Sequence, residues 1–189
     1  MKNTIRNRFL VVIILCLSSC GAVSATSLMR LSIAEMAKAS PVIVRAKCIA
    51  NTTAWDRGEI WTFTSFSLEE TWKGAPPGHI SVRLLGGRLG DLTSTVSEVP
   101  RFRPGEDVVL FLEPTPRGDY SVVSWMQGTF RIRRDPQTGE ERVTQDTAAF
   151  AAFDTATRQF EAAGSHNVPL GEFRAHLAAM IRNESERKP

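Results

Sequence analysis

From Val42 onward, apolar residues return at every second position in a series of short runs, the period of strands with one buried face. The first run is Val42 to Ala50, with Val42, Val44, Ala46 and Cys48 on one face and Arg45 and Lys47 on the other. Asp56-Arg57-Gly58-Glu59 reads as a hairpin loop. A second strand then runs from Ile60 to about Trp72, with Thr62, Thr64, Phe66 and Leu68 sharing a face. Glu69-Glu70 breaks that alternation and predicts a bulge. Lys73 to Gly78 has turn composition, and His79 to Leu85 is a third strand with Ile80, Val82 and Leu84 inward. Gly86 to Gly105 shows no period. Asp107 to Leu112 is a nearly continuous apolar run, which suits a strand covered on both sides. Tyr120 to about Met126 is a fifth strand. Thr129 to Arg134 and Glu140 to Thr144 flank an Asp135-Pro136-Gln137-Thr138-Gly139 hairpin turn.

Two segments carry the helical period instead. Ser32-Ile33-Ala34-Glu35 is a capping-box pattern, Ile33, Met36 and Ala37 form an apolar stripe, and Pro41 stops the helix. Leu170, Phe173, Leu177, Met180 and Ile181 make one side of a last helix. Between the strands and that helix, residues 145–167 are alanine-rich and read as a linker or loose helix, while 183–189 form a tail expected to fray. The layout predicts a mainly β fold. It is a small Greek-key, OB-like barrel of five to six strands over residues 28–144, with a short N-terminal helix and a C-terminal helix over 168–182. A β-sandwich is the alternative.

Three stretches carry a resemblance: Ala39-Ser40-Pro41-Val42-Ile43-Val44-Arg45-Ala46, Glu69-Glu70-Thr71-Trp72-Lys73-Gly74, and Pro104-Gly105-Glu106-Asp107-Val108-Val109-Leu110-Phe111-Leu112. They resemble a widespread set of uncharacterised exported bacterial proteins. Their order is also similar to that of netrin-like domains, which include the OB barrels of the tissue inhibitors of metalloproteinases. The resemblance spans roughly residues 32–126 and rests on hydrophobic pattern and turns, so it implies a fold rather than an activity. Those inhibitors present an amino-terminal cysteine to a protease zinc and are stapled by disulfides. This chain lacks that framework, so the inhibitory role is carried to none of its residues.

The first 25 residues change the picture drawn from composition. Lys2, Arg6 and Arg8 precede an apolar run of nine residues, Phe9 to Leu17, too short for the roughly 20 that span a bilayer. This is the pattern of a secretory signal. It ends in two overlapping ways. Leu17-Ser18-Ser19-Cys20 resembles a lipobox, which implies cleavage after residue 19 and acylation of Cys20; Val23-Ser24-Ala25 offers an ordinary site, giving a signal of residues 1–25. The apolar core abuts the lipobox directly, which favours the lipid-anchored form. The expected location is the cell envelope by a lipid anchor, or the periplasm or extracellular space. The chain's formal charge of +3 sits entirely in Lys2, Arg6 and Arg8, so the remainder is neutral. That removes the net positive charge that drives nucleic-acid binding. Cys48 alone then certainly remains, and it reads as a buried packing residue in a fold held by its apolar core.

Motifs for chemistry are sparse. His79, His166 and His176 have no zinc-site spacing, and no nucleophile elbow or phosphate-loop pattern occurs, so no metal, cofactor or catalytic residue is assigned. The candidate binding region is the 86–105 loop, where Arg88, Arg101 and Arg103 accompany Phe102, read as an exposed aromatic; arginine beside an aromatic suits a carboxylate, a phosphate or a protein surface. The competing reading pairs the arginines with Asp91, Glu98, Glu106 or Asp107 in a solvated loop. Trp55, Trp61, Trp72 and Trp125 are candidates for a stacking platform, with core packing expected for most. The expected function is a non-catalytic envelope module that binds a protein or small ligand through its loops. An enzyme with a site in the same loops is the alternative, to be recognised by a pocket gathering two or more titratable side chains.

Overall fold

The chain enters its fold through α1 (Ile33–Ala39), whose first turn closes on itself as the sequence predicts. The Glu35 backbone N–H donates to Ser32 Oγ at 3.2 Å, and the Ser32 N–H donates back to Glu35 Oε2 at 2.8 Å. Met36 and Ala37 are buried, and Ser40 caps the far end through N–H and hydroxyl bonds to the Met36 carbonyl before Pro41 turns the chain into a strand. The computed structural model describes residues 31–146, 151–154, 159–162 and 167–186. The export segment, with Cys20, lies outside them.

β1 (Val42–Asp56) and β2 (Glu59–Lys73) are fifteen residues each, paired along their whole length. Arg57 and Gly58 join them with φ of +52° and +83°, the left-handed pair that a two-residue hairpin turn requires. β1 exceeds the expected Val42 to Ala50 because its polar end, 51–56, is held extended by ladder bonds to β2 rather than by its own burial. The register slips where Glu69 was expected to bulge, and again at Trp72 and at Ile49. β3 (His79–Leu85) pairs with β2 and buries Ile80, Val82 and Leu84. A small hairpin, β4 (Gly87–Leu89) and β5 (Leu92–Ser94), follows within the stretch that had no period.

β6 (Asp107–Pro114) lies antiparallel to β1, and β7 (Tyr120–Val122) bridges β6 to β3, running parallel to β3. β1, β2, β3, β7 and β6 thereby close into a five-strand ring. β6 also continues through β8 (Thr129–Arg134), β9 (Glu141–Gln145) and β12 (Val168–Pro169), completing a mixed sheet of eight strands. A sandwich would need two comparable sheets. The fifth strand is shorter than the expected Tyr120 to Met126, because Ser124 and Trp125 adopt φ of +53° and +50° and a 3-10 turn, Trp125–Gly128, replaces extended chain.

The core has two parts, one on each side of the β1–β6 pair. Inside the ring pack Val44, Ala46, Cys48, Phe66, Val82, Leu110 and Leu112 with their neighbours. Outside it, Ile43, Val109, Phe111, Phe130 and Val143 pack against α1 and the last helix. β6 is therefore covered on both faces, as its unbroken apolar run predicts. The last helix, α2 (Leu170–Glu186), buries Leu170, Phe173 and Leu177 and sets the Phe173 ring 4.9 Å from Phe130. It continues to Glu186, past the point where the tail was expected to fray, with Glu184 paired to Lys73 at 3.1 Å. In the alanine-rich segment the described residues are strands rather than a helix: β10 (Ala151–Asp154) and β11 (Gln159–Ala162) pair with Phe153 in register with Phe160. Aromatic residues favour strands, which accounts for the departure from an alanine-based reading. No helix among the described residues is long and apolar enough to cross a membrane.

Candidate functional site

The 86–105 connection begins by folding back on the ring. Gly86 (φ +84°) donates its N–H to the Ile60 carbonyl, and Gly87 sits where a side chain would run into Thr53 and Thr62. β4 and β5 are thus laid against the extended end of the β1–β2 hairpin. Beyond them Val99 and Phe102 drop into the ring interior. Phe102 is 5% exposed, stands edge-on to Phe66 at 5.1 Å, and carries the Arg131 guanidinium over its ring at 5.5 Å. It is a core residue, and the reading of an exposed aromatic is corrected. A side chain inserted from a loop leaves no periodic trace.

The three arginines do not converge. Arg88 is exposed at the β4–β5 turn and donates from Nε to the Gly90 carbonyl at 3.2 Å. Arg103 is exposed, its backbone N–H bonded to Glu106. Arg101 Nη1 and Nη2 donate to the Gly86 and Leu85 carbonyls, each at 3.1 Å. Among the described residues none of their guanidinium groups forms an ion pair with Asp91, Glu98, Glu106 or Asp107. Glu106 is held by Arg131 at 2.5 Å and Asp107 by Arg45 at 2.5 Å.

What the loop does build is a cleft of about 290 Å³ between the hairpin tip and β4–β5, lined by Trp55, Gly58, Glu59, Ile60, Leu85, Leu92, Thr93, Ser94 and Val96. Trp55 and Leu92 are 58% and 56% exposed, unusual for side chains of their size, and both line it. Glu59 is the one ionisable residue of the lining. The signal in the sequence was a tryptophan within the polar run 51–56 and a leucine flanked by Asp91 and Thr93. The other tryptophans are engaged or apart. Trp72 packs on Phe173 at 6.3 Å, Trp61 lies under Arg83 at 4.7 Å, and Trp125 is partly exposed in the 3-10 turn.

A latch on the neighbouring face fixes the hairpin tip. Arg83 reaches Asp119 at 2.9 Å and Asp56 at 3.2 Å while lying over Trp61 and Phe63, and Arg117 also binds Asp56. Desolvation pushes the Asp56 carboxyl up, but the bonds and charges of Arg117 and Arg83 outweigh it and hold the group below its ordinary value. Asp56 directly follows Trp55, so the latch orients one wall of the cleft. His79 begins β3 and His176 lies on α2, both exposed. No protein-family model, curated protein or solved structure matches the chain.

Proposed function

We propose that this protein is an exported binding module whose five-strand ring is an OB-like Greek-key barrel and whose partner docks in the Trp55–Leu92 cleft. The ring order supports the fold reading: β6, its fourth strand, returns through a long connection to lie beside β1, giving the four-one-two-three order of a Greek key. The observation that carries the function is the pair of large, exposed apolar side chains, Trp55 and Leu92, on the wall of one concave site. The site holds a single ionisable residue, Glu59, too few for an acid–base pair, which favours binding over catalysis. The module acts in the envelope, tethered through an acylated Cys20 or released after Ala25. The partner is a protein or small ligand rather than nucleic acid, since the chain beyond its first 25 residues is neutral.

Capture of partners from envelope extracts by wild type, Trp55→Ser and Leu92→Ser tests this reading. Both side chains are largely exposed, so each variant keeps its stability within about 0.5 kcal/mol. The same partner is expected to be lost from both. Retention of every captured species by both variants would remove the cleft from the function.

A further inference from the structure

Arg101 stands next to this cleft, bonded to the carbonyl of its lining residue Leu85, with a charge that no acid among the described residues neutralises. Arg45, Arg83 and Arg131, which also reach across strands, each hold at least two carboxylates. Arg101 holds none among the described residues. Burial lowers its pKa and no acid raises it again, yet a guanidinium keeps its proton throughout the physiological range. Its place is fixed. A Cβ at Gly86 would lie 2.7 Å from both Arg101 Nη2 and the Ser94 carbonyl oxygen, and that backbone contact together with a φ of +84° makes a glycine necessary beside the guanidinium. Leu85, whose carbonyl it binds, and Ser94 both line the cleft.

A guanidinium has five N–H donors. Arg101 spends Nη1 on the Gly86 carbonyl and, at a longer 3.5 Å, on Thr62 Oγ1, and one Nη2 hydrogen on the Leu85 carbonyl. Among the described residues no partner takes the Nε–H or the second Nη2–H. Nε and Nη2 share one edge of the guanidinium, the edge that donates to both oxygens of a carboxylate.

We propose that the cleft takes the C-terminal residue of a partner polypeptide, its apolar side chain against Trp55 and Leu92 and its terminal carboxylate on the free edge of Arg101. This rests on the cleft reading above and adds the chemistry of its occupant. The Arg101 guanidinium bonded to Leu85 and the apolar walls suit one anion beside an apolar group, and a second anion would meet Glu59. At about 290 Å³ the site falls at the small end of ligand pockets, which suits the end of a chain rather than a whole drug-sized molecule.

Calorimetric titration of the full chain with acetyl-Gly-Gly-Leu-Phe as the free acid, with the same peptide as its C-terminal amide, and with free phenylalanine tests the proposal. The acid is expected to bind about tenfold or more tightly than the amide, the loss that follows from removing a charge-assisted pair. Arg101→Gln is expected to erase that preference, and Trp55→Ala to weaken both peptides. Equal binding of acid and amide, or binding of neither, overturns the proposal without recourse to a variant whose folding is in question. Free phenylalanine binding as tightly as the acetylated acid overturns the choice of a polypeptide. Acid binding whose affinity Trp55→Ala leaves unchanged would instead sink the cleft reading on which the proposal stands.

Discussion

Phe102 and Arg101 are neighbours in sequence with opposite fates, and the difference lies in where the loop turns. Phe102 enters the ring against Phe66, so Phe102→Ala removes a buried aromatic and leaves a cavity that the ring can close only in part. A loss of about 3–5 kcal/mol is expected in urea unfolding. A change within the scatter of surface substitutions would restore the exposed-aromatic reading. Cys48 shows the opposite case. Its burial was legible because it continues the alternation of Val42, Val44 and Ala46, whereas Phe102 sits in a segment with no period. The convergence of Arg101 on Gly86 was illegible for another reason. Fifteen residues separate them, and the left-handed φ that makes the glycine necessary is a property of the folded connection.

The β1–β2 hairpin extends past the ring, and its tip is held by side chains rather than by a core. Arg83 and Arg117, from β3 and the β6–β7 turn, both close on Asp56. Asp56 titrates below its ordinary value of 3.8 in the folded protein, so its contribution is complete above that value and is lost as the pH falls through the lower, folded pKa. Asp56→Asn is expected to speed amide exchange at the hairpin tip at neutral pH and to leave the ring strands protected. In wild type the protection at the tip, taken relative to the intrinsic exchange rate at each pH, is expected to fall as acid protonates Asp56, and the variant should show no such fall. Identical protection in the two proteins would mean that the latch holds nothing. The turn at Arg57-Gly58 and the bulge at Glu69 were readable from local chemistry. The length of β1 was not, because its polar end is extended only through pairing with β2.

Closure of the ring depends on strands far apart in the chain, and no local pattern announces which strand lies beside β1. The unbroken apolar run of β6 did announce that both its faces would be covered, and the two core layers are the result. What joins those layers at the sheet's polar margin is Arg45. It reaches Asp107 on β6 at 2.5 Å, Glu141 on β9 at 3.0 Å and Glu70 on β2 at 3.7 Å, and Glu70 in turn holds Arg174 of α2 at 2.9 Å. The Arg45 hydrogen bond, ahead of a smaller opposing desolvation, keeps the Glu141 carboxyl below its ordinary 4.5. A depressed carboxylate stabilises the fold above its unfolded pKa, and that stabilisation disappears as acid protonates the folded form. Arg45→Met removes the cause of the shift. The pair is partly exposed, so the cost at neutral pH is about 1–3 kcal/mol rather than the larger loss of a fully buried charge pair. The pH dependence separates this role from packing alone. The stability gap between wild type and Arg45→Met, followed by denaturant unfolding from pH 7 downward, should stay constant to about pH 5 and narrow below it. Glu141→Gln should show part of the same narrowing. Two parallel stability curves across that range would assign Arg45 a packing role only.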